Sequence, residues 1–286
     1  MSTTQVSELP GLVEGQLVGR RYHVPRFPID PLAAARFAAV CGDRPDRFRS
    51  ATHPGFVVRP ALEVLNALLG DPALQAHRTT MLHAQSDLWF HQPLVPGSEV
   101  QLDAEVIDAG PYGNRRGLVV ATRVSDPAAR RLVDIETVLA FEHPALPVAE
   151  GRPVLPLPEL YAHDGVAVAT QDFVFDEGFP RRYADVSGDH NPLHLDAAAA
   201  RSAGLPGVIL HGMSTLSRGA TFATDALCDG DPRRIARLRV RFARPGRPGQ
   251  IGRYTAYRTE RPGCFALSCR LGGVAIWRHA LLEVRP

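Results

Sequence analysis

The chain has 286 residues, enough for two domains of about 140 residues that each bury a core. Its 32 basic residues, all of them arginine, and its 30 acidic residues give a net charge of +2, and both signs are spread along the sequence. Because no basic tract is present, we expect no nucleic-acid partner and no membrane partner. No stretch approaches the roughly 20 apolar residues that span a bilayer. The first residues also lack an apolar segment preceded by basic residues, so we expect a cytoplasmic protein.

The four cysteines do not form a recognisable ligand pattern. Cys41, Cys228, Cys264 and Cys269 have no CxxC spacing and are not interleaved with histidine. A disulfide framework, a zinc site or another metal site is therefore not expected, and no cofactor is predicted. We expect these cysteines to be buried as small hydrophobic residues.

The first predicted elements are a strand and a helix. Apolar residues alternate loosely from Leu12 to Val24, which predicts a strand. Asp30 and Pro31 then predict the start of a helix, and Gly42 its end. The predicted apolar face of this helix comprises Leu32, Ala35, Phe37 and Val40.

The chain contains an internal copy of itself. The run RFAAVCGD at 36–43 recurs as RYADVSGD at 182–189, an offset of 146 residues. Two further pairs share an offset of 152, namely 54–58 with 206–210 and 90–97 with 242–249. Three matches in one order indicate two homologous halves. We predict an N-terminal domain at 1–143, a proline-rich linker at 144–164 and a C-terminal domain at 165–286.

Each half is predicted to contain one longer apolar helix followed by several strands. The helices are predicted at Ala61–Leu69 and Met213–Leu227. The strands are predicted at Ser86–Phe90, Glu99–Ile107, Arg116–Val124, Leu132–Phe141, Ile235–Phe242, Gly252–Thr259, Phe265–Leu271 and Val274–Val284. This pattern by itself predicts an α+β fold.

One stretch of the second half crowds an acid, an amide and an imidazole together. It reads SGDHNPLHLD at 187–196 and is followed by LPGVILHGM at 205–213. Gly188 and the Asn191–Pro192 pair favour turns, so the side chains of Asp189 and His194 can face one pocket. Asp196 predicts the cap of a short helix that supports this loop from behind, and Gly204 its end.

These two segments resemble the signature of the MaoC-like (R)-specific enoyl-CoA hydratases and dehydratases, which runs S-G-D-x-N-P-x-H with a downstream H-G-M. Every position of that signature is filled here in order. The resemblance implies a double hot-dog fold, in which two antiparallel sheets each wrap around a long helix. It also implies a hydro-lyase that adds water reversibly to 2-enoyl thioesters of coenzyme A or of acyl carrier protein, and a homodimer of such pseudo-dimeric subunits is a further expectation.

The resemblance also implies roles for individual residues. Asp189 and His194 would hold the reacting water, and general acid–base groups suit this chemistry when their pKa lies near the working pH. The backbone N–H of Gly212, at the start of the second long helix, is the candidate oxyanion donor. Asn191 would either assist there through its amide or act only as a turn residue. We expect His211 to be structural. Tyr183 is expected to pack in the interior, and His190 to face solvent.

The first half lacks the same chemistry. Asp43 aligns with Asp189, but Phe48 aligns with His194, and the other mismatches pair Pro45 with Asn191 and Pro60 with Gly212. The first half is therefore expected to complete the sheet, and either to make room for the acyl chain or to serve only as a packing partner. Two other functions stay open, a hot-dog acyl thioesterase and a non-catalytic acyl-binding module.

Overall fold

The structure is a computed structural model that describes residues 17–48, 50–75, 81–113, 115–141 and 162–286. The predicted start of the first strand at Leu12 and most of the predicted linker lie outside these residues. Of the predicted strand, only its C-terminal part is confirmed, because β1 begins at Arg21. The preceding residues form a turn through Gly19, whose φ of 84° lies in the left-handed region.

The longer elements follow the same order in both halves. The helices are α1 (Pro31–Val40), α2 (Val58–Leu69), α3 (Pro72–Gln75), α4 (Phe179–Ser187), α5 (Ala197–Ser202) and α6 (Gly212–Leu227). The strands of the first half are β1 (Arg21–Pro28), β2 (Met81–Phe90), β3 (Glu99–Tyr112), β4 (Arg115–Ser125) and β5 (Arg131–Phe141). Those of the second half are β6 (His163–Val174), β7 (Ile235–Phe242), β8 (Ile251–Thr259), β9 (Cys264–Leu271), β10 (Val274–Ala275) and β11 (Trp277–Val284).

The predicted strands after the first are confirmed with equal or longer bounds, and the last predicted strand divides into β10 and β11. All of them pair antiparallel in one sheet with the order β1-β3-β4-β5-β2-β7-β11-β9-β8-β6, and β10 adds to β9. Because the order on one side of the β2–β7 seam mirrors that on the other, the two halves are related by a pseudo-twofold axis through the seam. This is the predicted double hot-dog arrangement.

The internal copy is visible in the local geometry. Helix α1 is followed by Gly42 at φ 77°, and α4 by Gly188 at φ 83°, so both copies reverse direction in a conformation that favours glycine. At the other end of α1, the side chain of Asp30 accepts a hydrogen bond from the backbone N–H of Leu32, as predicted for a cap. The predicted buried face of α1 is partly wrong. Phe37 is fully buried, but Leu32 is 58% exposed, because first-turn side chains point back beyond the helix start.

The two long helices differ in how closely they pack on the sheet. Eleven of the sixteen residues of α6 are buried, whereas α2 buries three of twelve, namely Pro60, Val64 and Leu68. Close packing of α6 depends on Gly219, because a Cβ there would lie 2.4 Å from the ring of Trp277. Helix α2 therefore leaves more of its residues accessible than α6 does.

The four cysteines are free and buried, as expected. In the part of the chain that the structure describes, no helix is both long and apolar enough to cross a membrane.

Candidate active site

The loop after α4 holds its polar side chains in two successive turns. After the reversal at Gly188, the carboxylate of Asp189 accepts a hydrogen bond from the backbone N–H of Asn191, at 3.1 Å. The side-chain oxygen of Asn191 in turn accepts from the backbone N–H of Leu193, also at 3.1 Å. Short polar side chains that bond to the backbone two residues ahead are typical of such turns. They fold the loop back, so that Asp189 and His194 come together.

His194 ends the turn formed by Pro192–His194, and its tautomer is fixed by one hydrogen bond. Its Nδ1 lies 2.9 Å from the backbone carbonyl of Ile209, which can only accept, so Nδ1 carries the proton and Nε2 presents a lone pair. Burial lowers the pKa of His194 below its usual value, against the opposing effects of Asp189 and of the Ile209 carbonyl. His194 is therefore neutral near pH 7 and can accept a proton at Nε2.

Three side chains meet at this point. Asp189, His194 and His211 each place one donor atom within 4.8 Å of the other two. The Nε2–H of His211 donates to the backbone carbonyl of Asp189 at 2.9 Å, and its ring centroid lies 3.8 Å from that of His194. Burial, and then the neighbouring His194, lower the pKa of His211 to about 4. A water with two hydrogen bonds of about 2.8 Å can bridge groups separated by this distance.

The same three side chains, Asp189, His194 and His211, are also potential metal ligands. Two imidazoles and a carboxylate are ligands that zinc accepts, and within the described ranges this is the group whose donor atoms converge. The acid–base chemistry considered below uses these atoms with a water.

Gly212 is the first residue of α6, and His211 is the residue that precedes the helix. No described residue accepts a hydrogen bond from the N–H of Gly212, which lies at the positive end of a sixteen-residue helix. A Cβ at this position would lie 3.1 Å from the ring of Phe242, so the side of Gly212 that would carry a side chain is covered by that ring.

A cleft leads from Asp189 into the first half of the chain. It encloses about 70 Å³ between α2 and the sheet. Helix α2 and the residue before it contribute Val57, Val58, Ala61, Leu62, Val64, Leu65 and Leu68, and the sheet contributes His83, Ser86, Leu88, Val120, Thr122, Ile135, Thr137 and Leu139. Met213 and Asp189 close the end that belongs to the second half.

Sequence reasoning missed His83, which belongs to the first half and lines this cleft. Its Nε2 lies 2.7 Å from the hydroxyl of Ser86, and its ring meets that of Phe242 edge-on, with centroids 5.5 Å apart. Burial lowers the pKa of His83 to about 4, and the charge of Asp189 opposes this shift. Nothing in the pattern around His83 distinguishes it from other strand residues, because its position depends on the seam between β2 and β7.

The structure brings Asp189, His194 and His211 together and places Gly212 next to them in the chain. Asn191 is exposed, and its oxygen serves the turn, which leaves its amide NH2 for any further contact. Tyr183 is fully buried and His190 is exposed, both as expected. A larger open depression of about 780 Å³ lies over the first-half sheet, but none of the predicted site residues lines it.

Comparisons with known proteins agree with the predicted family. The family model described as "MaoC like domain" matches residues 165–269, which include all the predicted site residues. A 3-hydroxyacyl-thioester dehydratase, dehydratase X of Mycobacterium tuberculosis, is 30% identical over 247 residues, which cover 84% of this chain and 81% of the relative.

Solved structures agree with the predicted fold. A MaoC-like dehydratase superposes with a TM-score of 0.78 at 22% identity and covers 94% of this chain and 98% of its own. A second protein of Mycobacterium tuberculosis, described as a double hot-dog fold, superposes with a TM-score of 0.59 at 15% identity, covering 94% of this chain and 96% of its own. The expected fold and hydro-lyase class are thereby confirmed, and the chain belongs to the MaoC-like dehydratase family.

Proposed function

We propose that the chain catalyses the reversible, (R)-specific hydration of 2-enoyl thioesters, the reverse direction being dehydration of (R)-3-hydroxyacyl thioesters. The observation that carries this proposal is the meeting of the Asp189 carboxylate with a neutral His194, within 4.8 Å, at the end of a mostly apolar cleft. A carboxylate and a neutral imidazole at this separation suit the orientation and deprotonation of one water.

In the hydration direction, Asp189 and Nε2 of His194 hold the water beside C3 of the enoyl group. As the water oxygen bonds to C3, Nε2 takes one of its protons, and the imidazolium that forms is stabilised by the charge of Asp189. The proton is then delivered from this pair to C2, so that H and OH have added across the double bond. Dehydration follows the same steps in reverse.

Negative charge gathers on the thioester oxygen while the C3–O bond forms. We assign the backbone N–H of Gly212 as the donor that stabilises this charge, because it lies at a helix start and has no described acceptor. The NH2 of Asn191 is the second candidate donor for the same oxygen. Both assignments concern groups adjacent to the proposed water site.

The cleft between α2 and the first-half sheet is assigned to the acyl chain. Its walls are mostly aliphatic, and a cleft with apolar walls and few polar groups is typical of an apolar ligand site. The catalytically degenerate half thus serves to bind the part of the substrate that does not react. The acyl carrier is coenzyme A or acyl carrier protein.

Three further expectations belong to this proposal. The division into domains at 1–143 and 165–286, joined by a linker at 144–164, follows from the internal copy. The strand β6 begins at His163, within that predicted linker. A homodimer of such pseudo-dimeric subunits and a cytoplasmic location remain predictions.

The test is an absorbance assay with crotonyl-CoA as substrate. Hydration removes the conjugated double bond and its absorbance without releasing thiol, whereas a thioesterase releases free thiol, and a binding module does neither. We expect loss of absorbance without free thiol, and an (R)-3-hydroxyacyl product on chiral analysis. Release of stoichiometric thiol, or an (S) product, would contradict the proposal.

A further inference from the structure

One short segment before α6 contacts both proposed catalytic residues. The carbonyl of Ile209 accepts the Nδ1–H of His194, at 2.9 Å. Two residues later, the Nε2–H of His211 donates to the backbone carbonyl of Asp189, also at 2.9 Å. The segment Ile209–His211 therefore fixes the tautomer of one catalytic residue and the main chain of the other.

The ring of His211 is itself held in place. It is 1% exposed and lies between the ring of His194, at 3.8 Å between centroids, and the ring of Tyr183, at 5.1 Å. Its Nδ1 is buried and has no hydrogen-bond partner among the described residues. A buried polar atom without a partner is destabilising, so an apolar ring would fill this space at lower cost. A histidine at this place, in spite of its unpaired Nδ1, is consistent with a function for its other ring nitrogen, Nε2.

We propose that His211 is a positioning residue for the hydration reaction, with two separable actions. Its flat face supports the imidazole of His194, and its Nε2–H holds Asp189, so that both donor atoms stay within reach of one water. Shifts of about 1 Å in such groups cost on the order of 100-fold in rate. The inference rests on the proposed function and adds to it a residue that was expected to be structural only.

The two actions can be separated by substitution. His211→Phe keeps a flat ring and loses the donor, His211→Gln keeps an amide N–H near the position of Nε2 and loses the ring, and His211→Leu loses both. For crotonyl-CoA hydration we expect kcat to fall about 10-fold in the Phe and Gln variants and about 100-fold in the Leu variant. KM should stay close to the wild-type value, because the contacts with bound substrate are unchanged.

His53 provides the matched control. It is fully buried in the first half and makes two hydrogen bonds, accepting from the N–H of Gly55 and donating to the hydroxyl of Thr221. His53→Gln and His53→Leu should lower the melting temperature and leave kcat per folded molecule unchanged.

The inference is overturned if the His211 variants that fold show wild-type kcat per folded molecule, or if their loss of activity only follows the folded fraction, as for His53. It is also overturned if the Gln and Phe variants are as inactive as the Leu variant, since neither action would then contribute by itself. A wild-type enzyme without hydration activity would instead contradict the proposed function.

Discussion

The two long helices occupy equivalent places in the two halves, but they differ in burial, in the residue at the helix start and in the space beside them. Helix α6 buries eleven of its sixteen residues and begins at Gly212, beside the proposed catalytic residues. Helix α2 buries three of twelve, begins two residues before Pro60, and leaves a cleft between itself and the sheet. Close packing in one half supports rigid placement of reacting groups, and loose packing in the other leaves room for a ligand.

The loops before these helices differ in the same way. In the first half, Arg47 forms an ion pair with the carboxylate of Asp43, at 2.9 Å, and donates a hydrogen bond to that of Asp225 on α6, at 2.6 Å. Phe48, which aligns with His194, packs against the ring of His53 at 5.5 Å between centroids. The place that corresponds to the proposed water site is thus occupied here by an ion pair and an aromatic contact. Asp43, Arg47 and Asp225 form a structural joint between the halves.

The largest expected effect concerns the acid and the imidazole of the second half. Asp189→Asn and His194→Ala should each lower kcat for crotonyl-CoA at least about 100-fold, the lower range for a positioned acid or base. Asp43→Asn is the matched control, because its copy of the site has Phe48 in place of the imidazole, and it should retain nearly full kcat. Comparable losses in Asp43→Asn and Asp189→Asn would show that the halves do not differ in this respect.

The second effect concerns the joint in the first half. Arg47→Met leaves the Asp43 carboxylate buried without its cation, and we expect the free energy of unfolding to fall by about 3 kcal/mol in urea titrations. Arg21→Met removes an exposed ion pair with Glu105 and should change the free energy of unfolding by less than about 1 kcal/mol. Adding Asp43→Asn to Arg47→Met should restore part of the loss.

The same variant has a defined pH dependence. Burial raises the pKa of Asp43 even in the wild type, and the positive charge of Arg47 opposes that shift. A carboxyl group whose folded pKa is raised favours folding when it is protonated, so its unfavourable contribution grows as pH rises through that pKa. The loss of unfolding free energy in Arg47→Met, relative to the wild type, should therefore become smaller from pH 7 towards pH 5. A deficit that grows on acidification would contradict the assignment.

The next effect concerns the helix start in the second half. Gly212→Pro removes the proposed oxyanion donor while suiting the first turn of a helix, and kcat should fall about 100-fold. Gly212→Ala keeps the N–H, but its Cβ would lie 3.1 Å from Phe242, so we expect a smaller loss caused by displacement of that ring. A folded Gly212→Pro enzyme with near-native kcat would place the oxyanion donor elsewhere.

A smaller effect is expected from filling the first-half cleft. Leu65 lines the cleft, whereas Asn66, its neighbour on α2, is exposed. Leu65→Trp should lower kcat/KM for a long-chain 2-enoyl thioester on the order of 10-fold and leave crotonyl-CoA hydration nearly unchanged. Asn66→Trp should change neither value. Equal losses for short and long chains in Leu65→Trp would show that the cleft does not hold the acyl chain.

The smallest effect is a shift in the pH profile. His194 must be neutral to accept a proton, and burial lowers its pKa, so kcat/KM for hydration should persist below pH 6.5 and fall only at lower pH. In Asp189→Asn the charge that raises this pKa is removed, and the acid limb of the residual activity should move to lower pH. An acid limb above pH 6.5 in the wild type would contradict a buried, neutral His194.

Much of this comparison was accessible from the sequence. The internal copy, the mismatch of Phe48 with His194 and the turn chemistry around Gly188 are local signals, and they predicted two unequal halves with a loop that folds back. Helix starts and ends were also predictable, because caps such as Asp30 act within a few residues. These features depend on short-range geometry that residue identity largely determines.

What the sequence could not supply depends on contacts across the seam and between helix and sheet. The cleft lies between α2 and the sheet, and a pattern of leucines predicts only that one face of a helix is apolar. His83 lies near the site because β2 pairs with β7. The hydrogen bond from His211 to the carbonyl of Asp189 joins residues 22 positions apart. Such distant arrangements follow from tertiary packing, which periodicity alone does not specify.

The continuous sheet through the β2–β7 seam has a consequence for how such a protein can change. In a symmetric dimer of identical subunits, every substitution occurs twice, so opening one helix or discarding one histidine alters both sites. Here the two copies are separate positions of one polypeptide, and Phe48 or Pro60 can arise without any change at His194 or Gly212. Two copies within one polypeptide are therefore free of that symmetry constraint, and one half can change its loop and helix start while the other keeps them.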